Sequence, residues 1–204
     1  MKQAVKGNQR INTYSIVLCA LFAGLIALGA FIRIPSYSVP ATLQMSFVLL
    51  AGMMLGSKRG AISAFVYMVV GLMGTPVFAL GGGLGYFLKP TFGYIIGFIP
   101  GAYITGRIVE RSKQITYRGY FAASLAGLLV VYFIGVVYFY VISRFYLSRE
   151  IGIWYLFFNC FLITLPGDVV VCSAGALLAK RIKPVTAVYF NSEFKRAINK
   201  DSTV

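Results

Sequence analysis

The stretch Tyr120-Phe-Ala-Ala-Ser-Leu-Ala-Gly-Leu-Leu-Val-Val-Tyr-Phe-Ile-Gly-Val-Val-Tyr-Phe-Tyr-Val-Ile142 runs for 23 residues without a single charge. As an α-helix rising about 1.5 Å per residue it reaches across a hydrocarbon layer about 30 Å thick. It reads as a transmembrane helix, and the sequence on either side repeats the pattern. Upstream lies the charged loop Arg107 to Gly119, and before it another span, about Pro90 to Gly106. Downstream, after Ser143 to Gly152, an apolar stretch runs from Ile153 to Ala179 with Pro166-Gly167 in its middle. Proline lacks an N–H and crowds the preceding turn, so this helix is expected to be interrupted or kinked there.

Nearer the N-terminus, Tyr14 to Ile32 forms the first span, preceded by the basic residues Lys2, Lys6 and Arg10. A signal peptide has that charged end, but its apolar core is shorter, so we read an uncleaved helix. Arg33-Ile-Pro-Ser-Tyr-Ser-Val-Pro40 breaks the pattern into a structured loop. A second span follows from about Thr42 to Gly56, Ser57-Lys-Arg-Gly60 reads as a tight charged turn, and a third span covers about Ala61 to Leu80. Gly81-Gly-Gly-Leu-Gly85 reads as a flexible loop. The expected protein is all-α and polytopic, a six-helix transmembrane domain over 14–182. A cytoplasmic segment (1–13) and a cytoplasmic tail (183–204) flank it.

Composition supports that class. Hydrophobic residues make up 59% of the 204 and charged residues only 12%, about half the share of a soluble domain. The formal charge of +14 would raise nucleic acid in a soluble protein. Here 15 of the 19 Lys and Arg fall on one side of the six spans, and only Arg33, Lys89, Arg144 and Arg149 on the other. That asymmetry is the positive-inside pattern: it puts both termini in the cytoplasm and favours anionic lipid over nucleic acid as the partner of the basic loops. Histidine is absent, and Cys19, Cys160 and Cys172 stand singly in apolar runs. Neither a metal site, a disulfide framework nor a Ser-His-Asp arrangement can be assembled from such a set. No GxxxxGK[ST] loop occurs, so ATP hydrolysis, if it powers this protein, comes from another chain. We assign no catalytic residue and no cofactor.

The informative positions are polar residues out of place. Asp168 is the only acid within a predicted span, where an unpaired carboxylate costs about 2.5–3.5 kcal/mol on insertion scales. Its setting, Leu165-Pro-Gly-Asp168, places broken backbone beside the charge, as in polar sites of transporters. A capping role for the half-helix after Pro166 is the alternative. Asn159 and Gln44 offer amides that both donate and accept, although amides also join helices. Lys89, in Gly85-Tyr-Phe-Leu-Lys-Pro-Thr91, is either an interfacial lysine or a cation awaiting a carboxylate. Small residues recur at helical spacing in Ala20, Ala23, Gly24 and Ala27, and again in Gly93, Gly97 and Gly101. Such stripes pack a bundle, or dock a second membrane chain.

The order of several segments resembles the BioY-type substrate-binding (S) components of energy-coupling-factor (ECF) vitamin transporters, whose ligand is biotin. They are Val39-Pro-Ala-Thr-Leu-Gln44, Leu50 to Gly56 with Gly60-Ala, Gly74-Thr-Pro-Val-Phe78, Gly81 to Gly85, Pro90-Thr-Phe-Gly-Tyr-Ile-Ile-Gly-Phe98 and Leu165-Pro-Gly-Asp168. The resemblance implies a six-helix protein of the cytoplasmic membrane that binds biotin near the outer face. It also implies delivery with a transmembrane T component and a pair of cytoplasmic ATPases. The family's AxxxA face on the first helix maps onto Ala23 and Ala27, with Ala20 beside them, as the docking surface. One departure stands out: a lysine often found three positions after the aspartate is Val171 here. Lys89, where the family often has glycine, is expected to take over the charge. For biotin, Asp168 or Asn159 would accept the ureido N–H groups, with Gln44 as a further amide partner. Tyr86, Phe87, Phe92 and Tyr94 would wall the ring beside Gly83, and Lys89 would meet the carboxylate. Another vitamin, or a membrane interaction protein without transport, are the competing expectations.

Overall fold

The computed structural model describes residues 13–34, 41–112, 116–148 and 164–182, together with 152 and 158. Its elements run in chain order as α1 (Thr13–Phe31), β1 (Arg33–Ile34), β2 (Ala41–Thr42), α2 (Gln44–Leu55), α3 (Ser57–Leu72), a 3-10 turn (Leu84–Leu88), α4 (Phe92–Arg111) and α5 (Tyr117–Val141). A π-helical turn (Ile142–Tyr146) continues α5, and a helix over 165–182, here α6, completes six helices among the described residues. Apart from the two-residue antiparallel pairing of β1 with β2, in register Arg33 with Thr42, and a single bridge between Phe78 and Gly81, the regular structure among the described residues is helical.

The α4 helix is the hub, packed on α5, α3 and α2, while α1 closes against α2 and α3. Small residues permit the close approaches. A β-carbon at Gly106 would stand 2.4 Å from the Ser57 backbone nitrogen, and one at Gly52 would stand 2.4 Å from the Ala102 carbonyl oxygen. The stripe Gly93, Gly97 and Gly101 faces Tyr138 and Val131 of α5, so it packs the bundle. The outside is apolar instead: Leu21 and Leu28 on α1, Leu129 and Phe133 on α5 and Leu177 on α6 are exposed, while Ser63, Thr105 and Ser124 are buried. That inversion suits a protein whose surroundings are lipid. Among the described residues three segments, 13–31, 92–111 and 117–146, are long and apolar enough to cross a membrane, and α2 is apolar but only 12 residues long.

Several boundaries differ from the sequence reading. Ser57-Lys-Arg-Gly60 is the first turn of α3 and not a loop; the chain reverses at Gly56 alone, with φ of 86°. The opening of α3 is capped from a distance. Glu110, near the end of α4, accepts the Ser57 backbone N–H at 2.7 Å and the Ser57 hydroxyl at 2.7 Å, doing the work of an N-cap side chain. The third helix stops at Leu72 and does not reach Leu80, because Gly74 takes a φ of 107° and Pro76 follows, which lacks a donor. The run Gly81 to Gly85, expected to be a flexible loop, is a hydrogen-bonded turn. Phe78 and Gly81 exchange backbone bonds at 2.9 and 3.1 Å, and the Gly83 N–H donates to the Gly71 carbonyl at 2.8 Å. Pro166 lies in the first turn of α6, where its missing N–H costs nothing, so it starts a helix. The upstream part of that apolar stretch, Asn159 included, lies outside the described residues.

Candidate ligand-binding site

Where α2, α4, α5 and α6 converge lies a cavity, part of it open to solvent, concave and with a few convergent polar groups as small-molecule sites are. Every helix but α1 and α3 brings a wall. The entry to α2 contributes Thr42, Gln44 and Met45; the segment after α3 contributes Ala79 and the 3-10 turn Tyr86; α4 contributes Tyr94, Ile95 and Phe98 with Thr91 before them; α5 contributes Tyr132; and the start of α6 contributes Thr164 and Asp168.

Two polar networks fix its chemistry. In the first, the Thr42 hydroxyl donates to Gln44 Oε1 at 3.0 Å, Gln44 Nε2 donates to the Tyr67 hydroxyl, and that hydroxyl donates to the Val77 carbonyl at 3.1 Å. The chain fixes the amide orientation of Gln44, which is buried. In the second, the Tyr132 hydroxyl donates to Asp168 Oδ2 at 2.5 Å and lies 2.6 Å from Thr164 Oγ1. A phenol has one hydrogen, already spent on Asp168, so Thr164 is the donor to Tyr132. The buried carboxylate thus holds one oxygen fixed, and among the described residues its Oδ1 has no donor. An acceptor that lines a cavity without a partner is what a ligand N–H requires.

The remaining walls are apolar and largely aromatic. Tyr94 meets Tyr132 edge to face with centroids 6.0 Å apart. Tyr86 rests on Phe78 and, at 6.3 Å, on Phe92. Tyr86 lies outside the helices, and burial pushes its phenol above the ordinary range, so at neutral pH it is a neutral donor. Thr91 Oγ1 is sealed from solvent and makes no well-directed hydrogen bond among the described residues.

Of the residues singled out from sequence, Gln44, Tyr86, Tyr94 and Asp168 line the cavity together. Phe92 stands one layer behind, 1% exposed, and Phe87 is half exposed. Gly83 forms the turn that leads into the 3-10 segment, with φ of 94°. Lys89 is not in the wall: its ammonium donates to the Leu80 carbonyl at 2.8 Å and lies 4.7 Å from the Tyr86 ring centroid. The described lining contains no cation. On α1, Ala20 is exposed and Ala27 half-buried, but Ala23 is buried in the bundle. The outward small face is therefore Ala20 with Gly24, whose β-carbon would meet nothing within 4 Å. Sequence reasoning missed Thr42, Tyr132, Thr164 and Thr91. Tyr132 is one tyrosine of four in the fifth span and nothing local marks it; Thr164, four residues before Asp168, shares its helical spacing and was the one legible signal.

Comparison with known proteins bears on the family and the fold. The BioY family model matches residues 1–187. A probable biotin transporter BioY of Lysinibacillus sphaericus is 41% identical over 85% of this chain and 89% of its own length. The biotin transporter BioY of Thermotoga maritima is 36% identical over 82% of this chain and 95% of its own. Among solved structures, the S-component for biotin from an ECF-type ABC transporter superposes with a TM-score of 0.74 at 25% identity, covering 89% of this chain and 95% of that one. With a cavity of this chemistry on a fold of this kind and a match that runs from the first residue to beyond α6, the chain belongs to the BioY family.

Proposed function

We propose that this chain binds biotin in the cavity between α2, α4, α5 and α6 and serves as the substrate-specific subunit of an ECF-type ABC transporter that takes up the vitamin. The observation that carries the reading is the carboxylate of Asp168 in the cavity wall, held through Oδ2 by Tyr132 and with no donor on Oδ1 among the described residues. A ureido N–H donates there, and the neutral Tyr86 hydroxyl and Thr91 are within the same wall for the ureido oxygen. Tyr94, Ile95 and Phe98 cover the apolar bicycle. A site built on such bonds rejects ligands that cannot make them, because its own polar groups are then stranded.

The chain has no nucleotide loop, so the energy is supplied by partner subunits: a transmembrane T component, which α1 meets through Ala20 and the neighbouring Gly24 and Ala27, and a pair of cytoplasmic ATPases. The distribution of lysine and arginine supports cytoplasmic termini and a cavity toward the outer face. The test is equilibrium binding of labelled biotin to the purified, detergent-solubilised chain. Saturable binding at one site per chain, displaced by unlabelled biotin but not by thiamine or riboflavin, is expected; displacement by either competitor points to another vitamin, and no saturable binding refutes the reading.

A further inference from the structure

Two cations stand at the Ala79–Leu80 edge of the cavity, which we take as its mouth because both side chains bond that loop from its exposed side, and neither meets an acidic group among the described residues. Arg33 Nη1, from β1, donates to the Ala79 carbonyl, and Lys89 Nζ donates to the next carbonyl, that of Leu80, at 2.8 Å. They arrive from different parts of the chain and converge on consecutive residues of one loop. The place is tied to the cavity on three sides: Ala79 is in its wall, Thr42 is the β partner of Arg33, and Tyr86 lies beneath Lys89. The ion pair among the described residues, Arg107 with Glu110 at 3.9 Å, is at the far end of α4.

Neutral carbonyls satisfy one donor on each cation and leave two like charges uncompensated among the described residues. Donors remain. Arg33 still has Nη2 and Nε in the planar fork that fits a carboxylate, and Lys89 has two further N–H groups. Inside the cavity the described lining offers no cation, and its one acid repels an anion. A ligand with a urea-like head and a carboxylate tail is therefore oriented by charge alone, head toward Asp168 and tail toward the mouth.

We propose that Arg33, together with Lys89, forms the carboxylate-recognising clasp of this site, Arg33 holding Ala79 through Nη1 while its free edge receives the ligand carboxylate. The proposal rests on the biotin reading, and gives the mouth a role that Lys89 by itself does not fill. It also ties the Ala79 loop to the bound ligand through one guanidinium.

The test is calorimetric titration of the full chain in detergent with biotin and with its uncharged primary amide. For Arg33→Gln, biotin affinity is expected to fall about tenfold, the size of one charge-assisted hydrogen bond, while amide affinity changes less than about twofold. Arg33→Lys keeps the charge and recovers most of the loss; Arg33→Gln with Lys89→Gln loses more than either alone. Equal loss for acid and amide makes Arg33 a loop fastener only and overturns the proposal, as does no loss at all. If Arg33→Gln does not fold, the wild-type chain decides: the preference for acid over amide narrows as salt is raised if mouth cations read the carboxylate, and a flat ratio overturns it. A wild-type chain that binds neither ligand fails the biotin reading itself, before any variant is made.

Discussion

The two ends of α4 solve opposite problems. Toward Thr91 the helix turns Tyr94, Ile95 and Phe98 into open space, and the polar groups around that space are bonded side chain to side chain across the bundle, Gln44 to Tyr67 and Tyr132 to Asp168. Toward Arg111 there is no space. Gly106 abuts the backbone of Ser57, Ala102 abuts Gly52, and the Thr105 hydroxyl donates to the Ala123 carbonyl at 3.2 Å. The closed end uses close contact to hold α2, α3 and α5 on α4 in one arrangement, and the open end uses that arrangement to hold apart groups that would otherwise collapse on one another. Substitutions at the closed end are therefore expected to act on stability, and those at the open end on binding.

The largest effect tests the closed end. Gly106→Val adds atoms where backbone, not a mobile side chain, is the obstacle, and a loss of about 3 kcal/mol or more is expected, seen as a collapsed melting temperature in detergent and loss of biotin binding with it. Melting within a degree or two of wild type would break the contrast. At the open end, Asp168→Asn is expected to leave melting nearly unchanged and weaken biotin by about 30-fold, about 2 kcal/mol, because a charged acceptor is lost. Tyr132→Phe removes the fastening of Oδ2 and the acceptor of the Thr164 hydroxyl but leaves the carboxylate in place, and is expected to cost about fivefold, below about 1.4 kcal/mol. A fall in melting temperature larger than the fall in affinity would move that network to the structural side. The smallest effect is Glu110→Gln: its carboxylate is 40% exposed, so about 1 kcal/mol or less of stability is expected to go. Biotin titration of that variant sharpens the comparison, since any change in affinity would show the two ends to be coupled.

How far the sequence could be read follows the same division. Apolar runs announce helices because hydrocarbon tolerates no unpaired backbone, and α1, α4 and α5 lie where the runs are. The misplaced boundaries are those that depend on distant partners or local φ. Ser57 belongs to α3 because Glu110, 53 residues away, caps it, and the turn at Gly74 makes α3 end at Leu72, eight residues before the apolar run ends at Leu80. In the site, Asp168, Gln44, Tyr86 and Tyr94 were legible as polar or aromatic residues in costly or glycine-rich settings. Tyr132 was not, being one ring among many in the fifth span. Lys89 was legible as a cation but not as one that stands outside the wall, and Ala23 as a small residue but not as a buried one.

Taken alone, the order of residues determined that this chain is a bundle of apolar helices with a single acid inside, since hydrophobicity and the cost of a bare charge are properties of each segment by itself. The tertiary structure decided which groups share the cavity, how Asp168 is fastened, and that Arg33 and Lys89 reach the same loop. Those are meetings of elements far apart in the chain, and only the packing of one backbone on another sets the distance between them.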